Sequence, residues 1–195
     1  MQAILSPRER HIFDFVQGIA VNTPNADAIE QTLQDLRPAQ GTALLIGGLA
    51  VIHYGYERST ADIDILYAQA DSAILKRLRS RFKTVLKSKS GWHHLQHRKT
   101  GVRLELIPEG GLTTYGFIPG PAVVGGSDGY ISYFGLVWLK LVSGRLKDLA
   151  DLSELAKRNM KHAEAVRKKL HPDLQKQYRA VLAQARKEIE NDPGA

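Results

Sequence analysis

The chain contains no cysteine, which removes disulfides and every thiolate-based metal or redox centre from consideration. Tryptophan and methionine are scarce, at two residues each. No stretch approaches the ~18 to 20 consecutive apolar residues of a membrane span, and Met1-Gln2-Ala3-Ile4 opens no secretory signal. The expectation is a cytoplasmic protein without membrane contact. No internal repeat or low-complexity tract is present. The 195 residues, 43% of them hydrophobic, suffice for one domain, or one domain with a compact appendage, and for a core without covalent staples.

Acidic residues are also in short supply, 20 against 27 basic ones, and the shortage is local. Residues 1–70 carry 4 Lys/Arg and 8 Asp/Glu, so the excess lies entirely downstream. The segment 71–100 holds Lys76, Arg77, Arg79, Arg81, Lys83, Lys87, Lys89, Arg98 and Lys99 against the single Asp71. Such a cluster attracts polyanions through its summed field. A solvated helix face kept soluble by charge is the equally simple reading.

What is present is a mixed pattern of helices and strands. Residues 7–21 and 25–36 have helical apolar spacing, the first started by Ser6-Pro7 and the second closed by Pro38. The apolar run 42–46 predicts a buried strand ending at Gly47-Gly48, with a short helix over 49–56. Asp62 to Tyr67 alternates as a strand, 71–82 reads as a helix, and 85–89, 92–99 and 102–107 read as further strands. Residues 110–129, rich in Gly and Pro, predict a loop. Beyond it, 131–158 has helical spacing with a break near Ser143-Gly144, and 173–189 reads as a last helix. The expected organisation is an α/β core over 1–125, including the first helices, and a helical section over 126–195.

The chemistry-bearing residues sit around the glycine pair. Asp62 and Asp64 fall on one face of a strand, with Ile63 turned to the core. Two carboxylates on a rigid strand suit a hard cation such as Mg²⁺, which takes oxygen ligands and keeps several waters. Gly48 precedes Asp62 by 14 positions, room for a short helix and a return loop. Glu105 alternates with Leu104 and Leu106 and offers a third carboxylate from a neighbouring strand, or else faces solvent. Arg58 and Thr60, just before the carboxylates, either touch phosphate or cap the loop. His93 and His97 would lie about 13 Å apart on one face of a strand, too far for one metal, with His94 on the opposite face, so all three read as structural or surface residues. Ser132 and Ser143 have no His/Asp pattern around them, and Trp92 and Trp138 read as core or interface. A dinucleotide-binding turn is excluded, because Gly-x-Gly-x-x-Gly is absent.

The run Leu45-Ile46-Gly47-Gly48-Leu49-Ala50 and the run Arg58-Ser59-Thr60-Ala61-Asp62-Ile63-Asp64-Ile65 together resemble the nucleotidyltransferase superfamily with the DNA polymerase β-like fold. The later block from Trp138 to Leu152, with Lys140, Lys147, Asp148 and Asp151, is similar to the AbiEii-type nucleotidyltransferase-like toxins of type IV toxin–antitoxin systems. The likeness covers roughly residues 42–155. It implies a short mixed sheet flanked by helices, followed by a helical C-terminal section. It also implies an enzyme that moves a nucleoside monophosphate from an NTP to an RNA, protein or small-molecule acceptor. Two Mg²⁺ ions, or Mn²⁺, would be held by Asp62, Asp64 and Glu105, the last standing where these families commonly have Asp. Gly47, Gly48, Arg58, Thr60, Lys140 and Lys147 would contact the nucleotide. Lys147, Asp148 and Asp151 would organise the site, and Lys140 and Lys147 would project to a similar side of one helix. An RNA acceptor at the basic segment 71–100 and a cognate antitoxin would be the partners. A nucleotide- or RNA-binding module without turnover is the alternative.

Overall fold

The structure, a computed structural model, describes residues 26–36, 43–69, 71, 73–87, 92–126 and 128–191. The helix expected over 7–21 lies outside them. Among the described residues the chain forms a five-stranded mixed sheet, a small two-stranded sheet and eight helices. The short mixed sheet and the helical C-terminal part are as the sequence implied.

Strand β1 (Ala43–Ile46) runs antiparallel to β2 (Asp62–Tyr67), which lies parallel to β5 (Arg103–Pro108). Strand β4 (His93–His97) joins β5 antiparallel, and β3 (Phe82–Lys87) closes the sheet, giving the order β1-β2-β5-β4-β3. The alternation in β2, β4 and β5 separates two faces. Ile63, Leu95, Leu104 and Leu106 are buried on one, while Asp62, Asp64, His94 and Glu105 are half-buried on the other.

Helix α1 (Ala26–Leu36) packs Ile29, Leu33 and Leu36 into the core. Helix α2 (Gly47–His53) starts directly at the glycine pair, two residues earlier than the apolar pattern alone suggests. Its residues Leu49 to Ile52 are all buried, so the helix is clamped onto the sheet. The basic helix is much shorter than its apolar spacing predicts: α3 covers Ile74–Leu78 only. The chain then turns, with the Arg81 amide donating to the Leu78 carbonyl at 3.0 Å. Phe82, expected on the helix stripe, opens β3 and packs against the His97 ring with centroids 5.0 Å apart.

The stretch expected to be a loop contains a hairpin, β6 (Leu112–Thr113) with β7 (Gly116–Phe117), and the single-turn helix α4 (Pro121–Val124). The Thr113 hydroxyl donates to the Gly116 carbonyl at 2.6 Å and accepts from the Tyr115 amide at 3.2 Å, a local bond set that composition does not reveal. Helix α5 (Tyr133–Ser143) is capped by Ser132, which accepts from the Gly135 amide at 3.2 Å. It stops at Gly144, whose φ of 62° takes the left-handed conformation. Helices α6 (Leu146–Arg158), α7 (Met160–Arg167) and α8 (Pro172–Asn191) complete the C-terminal part. Residues Leu152, Leu155, Leu174, Tyr178 and Leu182 are all buried and form the helical side of the core. No described helix is long and apolar enough to cross a membrane.

Candidate functional site

The strand register brings the carboxylates together. Asp64 of β2 and Glu105 of β5 are direct partners across the parallel pair, and Asp62 is opposite Arg103. Asp62, Asp64 and Glu105 therefore share one face of the sheet and line one cavity of about 490 Å³. Glu105 lines the cavity and keeps 36% of its side chain exposed, so it is at once beside Asp64 and open to solvent. On β4, His94 is the next residue in that row, with Nδ1 at 3.4 Å from a Glu105 carboxylate oxygen.

Gly47 and Gly48 approach this row from α2. Gly47 has φ +61°, and a Cβ there would meet an Asp64 carboxylate oxygen at 1.8 Å. A Cβ on Gly48 would meet the Thr60 hydroxyl at 2.5 Å. The glycines thus permit close packing of the turn on the carboxylate strand as well as lining the cavity. Thr60 is buried, and its hydroxyl lies 3.2 Å from both the backbone carbonyl and a carboxylate oxygen of Asp62. It fixes the first aspartate and does not line the cavity. Arg58 does line it, but its guanidinium is ion-paired with Asp151 at 3.1 Å and donates to the Ser59 carbonyl at 3.0 Å.

Lys140 also lines the cavity and is held in an ion-pair network. It is buried, 4% exposed, with Nζ at 2.8 Å from Asp148 and 2.6 Å from Asp151. The other Asp148 oxygen accepts from the Ser143 hydroxyl at 2.7 Å and from Arg145 Nε at 2.6 Å. With Arg58 on Asp151, these residues join the loop before β2, the end of α5 and the first turns of α6 into one network. The site-organising role expected for Asp148 and Asp151 has this geometry behind it. Lys140 and Lys147 do not share one helix side. The Gly144 break separates them, leaving Lys140 buried in α5 and Lys147 exposed in the first turn of α6.

Arg145 and Lys147 line the same cavity as the carboxylates. Burial raises the Asp64 carboxyl to about 6, helped by repulsion from Asp62 and Glu105 and opposed by Lys147 and Arg145. At Asp148, burial works toward a higher value. Hydrogen bonds from Arg145, Lys140 and Ser143 outweigh it and hold the carboxyl at about 2. Apolar side chains, Trp92, Leu136 and Leu139 among them, line part of the cavity as well.

Among the described residues, no group of three or more His, Cys, Asp or Glu side chains is arranged to hold a metal ion. The three-carboxylate metal site expected from the sequence is not assembled in this geometry, where Glu105 sits beside His94. The Asp62–Asp64 pair does suit Mg²⁺, which is commonly held by one or two carboxylates together with water and substrate phosphates. The raised Asp64 carboxyl points the same way: it lies among like charges that a bound cation would neutralise. His93 and His97 face the buried side. His97 sits between Asp35 at 2.9 Å and the Thr100 hydroxyl at 2.8 Å, a structural role.

Sequence reasoning passed over Arg145 and His94 as site residues. Arg145 carried a signal, a cation directly after the glycine that breaks two helices. His94 carried one only through its alternation with His93 and Leu95. No protein-family model matches the chain, and no curated protein matches it.

Proposed function

We propose that this protein is a metal-dependent nucleotidyltransferase that moves a nucleoside monophosphate from an NTP to an acceptor hydroxyl. The observation that carries this reading is the cavity itself: Asp62 and Asp64 on one strand, Glu105 in register beside them, and the cations Arg145 and Lys147 in the same lining. The chemistry asks for such a set. The acceptor oxygen bonds to the α-phosphorus while the bond to pyrophosphate breaks, and negative charge grows on both oxygens. A divalent cation bound by Asp62 and Asp64 would stabilise that charge. No separate general base lines the cavity among the described residues, so one of the three carboxylates would take the acceptor's proton. Gly47 and Gly48 keep the wall bare for the phosphates, Thr60 steadies Asp62, and Lys147 supplies positive charge. The apolar walls at Trp92 and Leu139 suit a base or sugar face.

The register also supports a polyanionic acceptor. From Asp62 the row continues through Arg103, Gln96 and Lys83 across β5, β4 and β3, toward the basic segment. RNA is the acceptor we favour on this ground, with a protein or small molecule as alternatives. The toxin role of a toxin–antitoxin pair belongs to the same proposal, carried by the likeness of the glycine–aspartate and Trp138–Leu152 blocks, and a cytoplasmic location is proposed with it.

The test is transfer of label from each of the four NTPs, with Mg²⁺, to total RNA and to protein. Asp62→Ala and Asp64→Ala should each abolish it, and unchanged transfer in both variants would sink the metal assignment. One observation favours a second reading, a nucleotide-binding module without turnover: Glu105 pairs with His94 and no three-ligand group is formed. Tight NTP·Mg²⁺ binding with no product on any acceptor would decide for it.

A further inference from the structure

We propose that Arg145, at the junction of α5 and α6, is the residue that grips the polyphosphate of the substrate, and that Lys140 is a structural cation. The proposal rests on the nucleotidyltransferase reading but departs from the role that its sequence likeness gives to Lys140.

The two cations differ in how much of their charge is free. Lys140 offers three N–H donors, and two point at carboxylates fixed 2.8 and 2.6 Å away inside the protein. Its ammonium faces two acidic partners, so it has no surplus positive charge to offer. A triphosphate would have to compete with both buried carboxylates for that ammonium and would break a network that Arg58, Ser143 and Arg145 also hold. Arg58 is similarly engaged, with Asp151 and the Ser59 carbonyl.

Arg145 is held differently. Its side chain is 68% exposed and lines the cavity, yet it is not loose: Nε donates to Asp148 at 2.6 Å. Asp148 is itself anchored by Lys140 and Ser143. This fixes one edge of the guanidinium and leaves its terminal nitrogens without a bond to any described residue. A planar fork with its position set in advance matches two phosphate oxygens at once, which a lysine ammonium does not. The left-handed turn at Gly144 brings the arginine to this place, because it ends α5 and lets the chain re-enter a helix one residue after Arg145. Arg145 also faces the carboxylates. Its guanidinium is held in the charged form first by Asp148 and then by Asp64 and Glu105. Lys147 follows on the same exposed turn and adds a second cation on that wall. Lys140 therefore acts at one remove, by holding the aspartate that aims the arginine.

Inorganic tripolyphosphate is the direct probe, since it carries the shared part of every NTP and no base. Its affinity, with Mg²⁺, would be measured by calorimetry on the full chain, alongside each NTP. Arg145→Met should weaken both ligands about 10- to 100-fold, the range of one or two lost charge-assisted hydrogen bonds. Arg145→Lys should recover only part of this, because it restores charge without the fork. Arg179→Met, which removes one exposed charge on α8 away from the cavity, should leave both affinities within about threefold and controls for net charge. Lys140→Met, if it folds, should melt earlier and bind less weakly than Arg145→Met. Wild-type affinity in Arg145→Met, or equal losses in Arg145→Met and Arg179→Met, overturns the proposal. The nucleotidyltransferase reading fails separately: the wild type would bind tripolyphosphate through Arg145 yet transfer nothing from any NTP. A wild type that binds neither ligand overturns both.

Discussion

Gly47 and Asp64 are packed so closely that a Cβ on the glycine would lie 1.8 Å from the aspartate's carboxylate oxygen. The carboxylate is placed by the absence of a side chain. Gly47→Ala meets two penalties at once: a left-handed φ of +61°, costing about 1–2 kcal/mol for an L-residue, and forced displacement of Asp64. We expect modest thermal destabilisation together with at least ~10-fold weaker Mn²⁺ binding by electron paramagnetic resonance, comparable to losing a supporting group in a metal site. Gly48→Ala should do less, because the atom it meets is the Thr60 hydroxyl, at 2.5 Å, and not a metal-facing carboxylate. Mn²⁺ affinity unchanged in Gly47→Ala would mean that Asp64 is not a ligand.

The Asp64 carboxyl gives the site a pH signature. Its folded-state value, about 6, lies above the ordinary 3.8, first because of burial and then because of Asp62 and Glu105. The folded state therefore holds this proton more tightly than the unfolded chain. The resulting stability is complete below the ordinary value and is lost as pH rises through about 6, by at most about 3 kcal/mol at 1.36 kcal/mol per unit. A cation reverses the preference, since below that pH it must displace the proton. Metal affinity should climb between about pH 5 and about pH 7 and level off above, with Asp64→Asn flattening the stability curve. Chemical denaturation of the metal-free protein across this range reads the first effect, and Mn²⁺ titration the second. A flat metal profile would remove Asp64 from the site.

The Lys140 network makes a prediction about stability alone. Removing one partner of a buried ion pair costs about 3–5 kcal/mol, because the other charge is stranded. Lys140→Met removes the buried cation from between Asp148 and Asp151 and leaves them to the more exposed Arg145 and Arg58. For a chain of this size each kcal/mol moves the melting temperature by roughly 2–4 °C, so the loss should exceed about 6 °C. Acid should compound it. Asp148 is held at about 2 against the pull of burial, so its share of stability is present above the ordinary 3.8 and disappears as pH falls through about 2. Thermal melts at neutral pH would check the first point, and acid unfolding midpoints in Ser143→Ala and Arg145→Met the second. A Lys140→Met protein that melts with the wild type would show that the network holds nothing together.

The parts legible in the sequence were those fixed by local pattern. The alternation of Asp62 to Tyr67, with its aspartates on one face, needs only the two-residue period of a strand. The break at Gly144 is likewise local, since a glycine there adopts the left-handed φ that ends a helix. What escaped depends on pairing at a distance. Nothing in the apolar spacing of 71–82 says that the chain turns after Leu78 and gives Phe82 to a strand edge. That choice is made by β4, whose His97 pairs with Phe82. The partners of Lys140 lie 8 and 11 residues away across a helix break, and only the angle between α5 and α6 brings them to its ammonium. The pairing of Glu105 with His94 follows from the antiparallel register of β4 on β5, which no single segment encodes.

That last pairing leads to a prediction about how many carboxylates the cation needs. Asp62 and Asp64 are two residues apart on one strand, whereas Glu105 reaches in from β5 and lies 3.4 Å from His94. An extra methylene allows the longer side chain to lean toward β4, where the shorter aspartate would stay near Asp64. If the cation is held by the Asp62–Asp64 pair and substrate phosphates, Glu105 acts as an outer partner, and its loss should weaken binding by the ~10- to 100-fold typical of such groups. Asp62→Ala and Asp64→Ala should each cost more than ~100-fold, beyond that outer-partner range. Mn²⁺ titrations of Glu105→Gln beside the two alanine variants make the comparison directly, with circular dichroism to establish that each is folded. Glu105→Gln removing binding as thoroughly as Asp64→Ala would make Glu105 a direct ligand. It would then have to leave His94 when the cation arrives, and His94→Leu would release it and tighten Mn²⁺ binding.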